Sequence, residues 1–344
     1  MAGLALIVAI SGCQSISYYH QAVAGECEIL THQKPIRVLM DDTNTPAALR
    51  AKFAHVLKIR EFAARELKLP ADDNYLKYAD LHRRFVVWNV DVAPALSLEP
   101  KTWWFPIVGR ASYRGYFSEA GALRYANHWE KKGWDVNVGG VQTYSTLGWF
   151  RDPLLNTFID ESDGDLAEII FHELAHQRLF VSGDTDFNEA FATMVSLEGV
   201  RRWFASVNRT NEFERYRIAL ERDDQFVKLV MATRAKLEAA YDSPALTDSA
   251  KLQRKQEIIA ALRLDYETLK ARWGGSNEYD GWFTKPINNA KLNTIAAYYD
   301  FVPAFEALLR SNGGNMERFY TAAAALGKMP LDRRHEKLRE MIPR

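Results

Sequence analysis

The hydrophobic pattern opens on a run, Met1 to Ile10, that carries no charged side chain and leads into Ser11-Gly12-Cys13. An apolar stretch of about ten residues is too short for a membrane-spanning helix, which needs roughly 20, and fits the hydrophobic region of a secretory signal. Residues 15–30 mix aromatic and small side chains and predict a packed helix or an extended arm. A helix is better marked from Thr45. Thr45 can cap it, Pro46 suits the first helical position, and Leu49, Phe53, Val56, Leu57 and Ile59 recur on one face until the pattern ends near Leu69-Pro70. Residues 84–93 are rich in β-formers and alternate in part, and 103–109 form a second extended apolar run. A helix over 118–132, with Ser118 as its cap, precedes extended segments at 133–139 and 141–147. From Asp165 the period is helical, near 165–180, 187–206, 210–241, 247–273, 301–311 and 315–326. The two long charged segments, 210–241 and 247–273, predict an antiparallel hairpin turning at 242–247. The expected fold is α+β and mainly helical. It is a single unit over 13–344, with an α/β part over about 30–164 and a helical part over about 165–344.

Composition narrows the function classes. The 344 residues carry 44 Lys+Arg against 44 Asp+Glu, so the formal net charge is zero, which argues against a nucleic-acid binder. With 47% hydrophobic and 26% charged residues the chain is globular rather than disordered. Two cysteines exclude a disulfide scaffold and a Cys-rich zinc site, and the 9 Trp, 15 Tyr and 18 Phe suit a thick core or a ligand cleft.

The strongest chemical signal is His172-Glu173-Leu174-Ala175-His176, an H-E-x-x-H pattern inside a helical period. Positions i and i+4 of a helix share a face, so both imidazoles can reach one metal ion. Glu173 is turned by about 100° from His172, which places its carboxylate beside the ion rather than on it. In such a site Zn²⁺ lowers the pKa of a water and polarises a carbonyl while the Glu takes the proton. The pattern arises by chance in roughly 1 of 100 chains of this composition, and the apolar Ile169, Ile170, Phe171, Leu174 and Ala175 around it suit a buried helix. The alternative is a pair of core histidines satisfied by hydrogen bonds. Arg178 departs from the apolar residue more usual at that place.

A catalytic zinc needs a third protein ligand and an open position. The polar turn 182–186 leads into Asn188-Glu189-Ala190-Phe191-Ala192, which resembles the second motif of gluzincin peptidases, where the Glu is that ligand. The resemblance implies Glu189, with one Zn²⁺ on His172, His176 and Glu189. Asp186-x-x-Glu189 is also a capping-box pattern, and Asp184, Asp186 and Glu198 are other acids nearby. No H-x-x-G-x-x-H extension follows, so a three-histidine metzincin site is not expected. Thr193, one turn beyond Glu189, reads as a buried threonine or a second neighbour of the metal.

Ile10-Ser11-Gly12-Cys13 looks like the lipobox of bacterial lipoproteins, although no Lys or Arg precedes the apolar run. Residues 1–12 would then be a signal peptide, Cys13 the lipidated first residue, and Cys27 a small buried thiol without a partner. Gln14 behind Cys13 implies the outer membrane of a Gram-negative bacterium, with the protein facing the periplasm. Nearly the whole chain resembles a family of predicted zinc aminopeptidases, mainly proteobacterial lipoproteins. The segments that carry the likeness are 18–25, 105–109, 113–117, 144–150, the His172–His176 helix, 188–192, 288–290 and 302–305. The resemblance implies a zincin-like helix beside a small sheet and a peptide substrate. Gln142 to Trp149 is the candidate strand for binding peptide backbone, against a plain core strand. Tyr298 is the candidate donor to the oxyanion, with Tyr299 and His335 as rivals. The expected function is a zinc metallopeptidase, an aminopeptidase through the resemblance, with Glu173 as general base. The alternatives are a zinc endopeptidase and a non-catalytic, lipid-anchored envelope scaffold with a structural metal. The sequence is silent on oligomeric state.

Overall fold

The structure is a computed structural model that describes residues 2–71, 73–105, 109–143, 151–296 and 301–342, with the backbone alone at 2–16, 210 and 296. Helix α1 (Ala2–Thr31) is followed by β1 (Gln33–Pro35), α2 (Ile36–Asp41) and α3 (Ala47–Arg65). Pro46 is the cap of α3 rather than its first residue, so the helix starts one position later than the sequence suggests. Its apolar face, Phe53, Val56, Ile59 and Phe62, is fully or nearly fully buried. Then come β2 (Lys77–Ala79), β3 (Val87–Ala93), β4 (Trp103–Phe105), β5 (Gly109–Ala111) and β6 (Tyr113–Tyr116). The run at 103–109 is thus split between two paired strands. Helix α4 (Glu119–Glu130) begins at Ser118, whose hydroxyl accepts from the Gly121 amide, as expected of a cap. Strand β7 (Asp135–Val141) joins the parts of two expected segments, and β8 (Leu154–Leu155) closes the α/β half. Gln142 lies just beyond β7, and residues 144–150 lie outside the described residues.

Strands β6, β3 and β7 form an antiparallel sheet in that order. Strand alternation gives it two unlike faces. Val90, Val92, Tyr116 and Val136 pack on Ala122 and Ala126 of α4. The opposite face carries Asn89, Asp91, Tyr113 and Asn137, with Asp91 paired to both Tyr113 and Asn137 across the strands. Helix α1 lies along this sheet: Gln21 accepts from the Phe117 amide at 2.9 Å, and Tyr18 stacks edgewise on Tyr116. Cys27 is exposed on α1, not buried as its small apolar character suggests, because the inward positions of that turn are Gly25 and Ile29.

The second half is helical: α5 (Asp163–Arg178), α6 (Thr185–Ser206), the hairpin α7 (Thr210–Tyr241) and α8 (Asp248–Arg272), then α9 (Asp280–Phe283), α10 (Asn289–Ala296), α11 (Val302–Ser311), α12 (Met316–Gly327) and α13 (Leu331–Met341). Helices α5 and α6 sit at the centre of the main core, and the hairpin has its own apolar cluster around Phe226, Tyr266 and Leu262. The two central helices approach closely because Gly199 offers no side chain. A Cβ there would stand 2.6 Å from Phe171 and 2.8 Å from Leu67. Gly199→Ala is therefore expected to lower stability by about 1–3 kcal/mol in urea denaturation, as overpacked cores do. Gly281→Ala, with nothing within 4 Å, is the control and should change little.

Candidate active site

Helix α5 starts at Ser162, whose hydroxyl caps it by accepting from the Asp165 amide. Its buried positions, Leu166, Ala167, Ile170, Phe171, Leu174 and Ala175, hold one face in the core and turn His172 and Glu173 toward a cleft. Arg178 points the other way: it pairs with Glu317 at 2.8 Å and lies over the Tyr320 ring. The departure at that position therefore serves the packing of α12 and leaves the cleft alone.

The turn after α5 has to bring the chain back. Asn188 does this with one side chain, accepting from the Val181 amide and donating to the Val181 carbonyl, both at 2.8 Å. Asp184 caps α6 by accepting from the Phe187 amide at 3.1 Å. The cap is Asp184 and not Asp186, so Glu189 is not needed for a capping box and is free for other work. Asp184 is itself buried beneath Arg334, with which it forms an ion pair, and the His335 ring nitrogen Nε2 lies 3.0 Å from it.

This closure gathers three side chains. His172 Nε2 and His176 Nε2 are 3.1 Å apart, and the Glu189 carboxylate lies 3.3 Å from the first and 3.6 Å from the second. Among the described residues this is the one His/Cys/Asp/Glu group whose ligand atoms converge so closely. Donors about 2.0–2.1 Å from a tetrahedral ion stand about 3.3 Å from one another, so the set fits a zinc-type centre. The donor chemistry, two imidazoles and one carboxylate, fits as well. His176 Nδ1 is buried with no hydrogen-bond partner among the described residues, so that ring's polar contacts run through Nε2 alone.

The electrostatics follow from the enclosure. Burial would raise the Glu189 pKa, but hydrogen bonds to His172 and His176 outweigh it and hold the carboxyl well below the usual range. Burial opposes charge on His172, and Glu189, Glu173 and Glu168 overcome that and push its pKa up. Glu173 is raised by burial and by Glu189 and Asp152, against the two histidines, and makes no hydrogen bond or ion pair among the described residues. It is a carboxylate with raised basicity facing the cleft, the state a general base requires. Behind it Asn74, Asp152 and Gln177 form a closed polar network, with Gln177 donating to Asp152 at 2.7 Å and Asn74 donating to Gln177 at 2.9 Å.

The polar face of the sheet forms the facing wall. Asn137 donates to Asp91 at 3.0 Å, and burial raises the Asp91 pKa to about 6. Tyr113 stands at the cleft mouth, 42% exposed, where desolvation within the walls and the carboxylates of Glu189, Glu173 and Asp91 push its hydroxyl up to about 12. The cleft encloses about 1580 Å³, above the roughly 300–1,000 Å³ of a small-molecule pocket.

Of the residues named from the sequence, His172, Glu173, His176 and Glu189 meet in this cleft. Thr193 is buried and lines it, and His335 lines it beside Phe301. Tyr298 and Tyr299 lie outside the described residues, and Cys13 lies in α1 where only the backbone is described. Sequence reading missed Tyr113, Asp91, Asn137 and Glu168 as cleft residues. The polar alternation of Asn89 and Asp91 with Val90 and Val92 was the available signal.

No curated protein and no solved structure matches the chain. A family model described as "Putative aminopeptidase" matches residues 17–338, which takes in every helix and strand from the described side chains of α1 to most of α13. By that match over almost its full length, the chain belongs to this aminopeptidase family.

Proposed function

We propose that the chain is a zinc-dependent metallopeptidase acting as an aminopeptidase. The observation that carries the reading is the convergence of His172 Nε2, His176 Nε2 and the Glu189 carboxylate beside Glu173. A divalent ion bound there would supply Lewis acidity, making a water acidic and a peptide carbonyl electrophilic. Glu173 accepts the proton from the attacking water and delivers it to the leaving amine. Tyr113 stays protonated at neutral pH, so its hydroxyl can donate to the oxygen that gains charge. His335, oriented by Asp184, borders the same space. The substrate is a peptide lying between α5 and the sheet. Strand β7 is an edge strand, but its Val136 and Val138 carbonyls are taken by Asn288 and Lys285. The Gln142 carbonyl is likewise taken, by the Thr157 hydroxyl, so backbone pairing with substrate falls to the glycine end of β7, Gly139 and Gly140.

The same reading places the protein at a membrane through a lipid on Cys13, with residues 1–12 removed as a signal, at the periplasmic side of the outer membrane. Its support is the apolar run ending in Ser11-Gly12-Cys13. Among the described residues no helix is long and apolar enough to cross a membrane. Acyl chains on Cys13 would supply the attachment.

Two outcomes are expected. Glu173→Gln should lower kcat for aminoacyl and internally quenched peptides by roughly 100-fold or more while metal analysis still finds one zinc per chain, whereas Glu189→Gln should lose the zinc. Wild-type turnover in the Glu173 variant would end the mechanism, and preference for the internally quenched peptide would make the enzyme an endopeptidase. Cys13→Ala should move the protein from the detergent phase to the aqueous phase in a phase-separation assay. Continued partition into detergent would rule out the anchor.

A further inference from the structure

Glu168 belongs neither to the converging trio nor to an ion pair. It stands on α5 one turn before His172, so the two side chains share a helix face, and it lines the same cleft. Its carboxylate accepts a 2.9 Å hydrogen bond from the Tyr216 hydroxyl. Tyr216 is buried in α7 against Phe204, so the carboxylate is fixed on a solid wall. Several other enclosed carboxylates have a cation: Asp184 has Arg334, Asp135 has Lys255, and Glu198 has Arg201 and Arg202. Glu168 has none among the described residues. Its charged neighbours are His172 and the acids Asp165 and Asp223, and burial raises its pKa. An anion held in a partly dry wall by a single phenol is costly until a cation reaches it.

We propose that Glu168 receives the α-ammonium group of the peptide's first residue. The inference rests on the metallopeptidase reading and gives it the feature that makes it an exopeptidase. Helix neighbours four apart lie about 5–6 Å from each other, and an amino acid's α-nitrogen is about 2.5 Å from its own carbonyl carbon. A carbonyl poised at the His172–His176–Glu189 point therefore brings its α-nitrogen within reach of Glu168. An internal residue offers a neutral amide there, and its preceding chain would run into the wall that carries Glu168. The neutral amide leaves the carboxylate without a cation, so cleavage is confined to the first bond.

The test uses the zinc-loaded full chain and two substrates, a leucyl anilide and its N-acetyl form. Wild type should cleave the free-amine substrate and spare the acetylated one. Glu168→Gln should lower kcat/KM for the free amine roughly 30-fold or more, mainly through KM, as loss of a desolvated charge pair does. The zinc content should stay at one per chain. Glu168→Asp, which keeps the charge on a shorter arm, should fall between them. Calorimetry separates this idea from the catalytic one. In the Glu173→Gln background, Leu-Gly-Gly should bind more tightly than acetyl-Leu-Gly-Gly, and adding Glu168→Gln should erase the difference. If wild type cleaves neither anilide but the calorimetric difference appears and vanishes as described, the peptidase reading fails and amine recognition stands. An unchanged preference in both Glu168 variants, or loss of a second metal ion from Glu168→Gln, would overturn the proposal.

Discussion

The short return of α6 along α5 is fixed at Val181 by the Asn188 side chain, and the candidate centre depends on it. The chain must reverse within residues 179–184, where the Asp184 amide donates to the Val181 carbonyl at 3.3 Å but the Val181 amide finds no backbone partner among the described residues. Asn188 supplies the missing pairing by bonding both the amide and the carbonyl of Val181. Because Asn188 precedes Glu189 on the same helix turn, the bond that closes the loop also sets the phase of the third carboxylate. Gly199, further along α6, removes the bulk that would otherwise hold the helices apart. Polar registry at one end and steric permission at the other act on the same pair of helices.

The cleft draws its charges from different walls. Glu168, Glu173 and Glu189 come from α5 and α6, and Asp91 from the sheet. Lys285 and Lys291 come from the segment around α9 and α10, where Lys291 lies over the Trp282 ring and burial lowers its pKa to about 8. The acids around the histidines suit a divalent cation or an ammonium group, because each additional carboxylate raises the cost of leaving the space without positive charge. The fold sets acid beside imidazole through the helix period. Glu168, His172 and His176 repeat at four residues, and Glu189 joins them through the turn.

Much of this was legible in the sequence because local rules decided it. The H-E-x-x-H spacing fixes a shared helix face, Ser118 announced the start of α4, and the apolar period located α5 to α8, α11 and α12. What stayed hidden depended on distant partners. Helix α13 is dominated by charge, and Arg334 reads as a surface residue until Asp184 is brought over it. Cys27 is out because helix phase placed Gly25 and Ile29 inward, a choice made by contact with the sheet. Tyr113 and Asp91 are 22 positions apart and meet only through strand register. Glu168 looks like any polar residue on an amphipathic helix until Tyr216, from α7, fixes it in the wall.

The Asp184 knot has a consequence for how the protein comes into being. The turn between the two central helices is tied to Arg334 and His335, near the far end of the sequence, by bonds within the core. During synthesis the three converging side chains emerge well before those residues do. A nascent chain that has not yet reached α13 carries the centre's donors but lacks the brace that holds their turn. Completion of the site is thereby left to tertiary folding, because the brace of its turn comes from 150 positions further along the chain and no local rule can supply it.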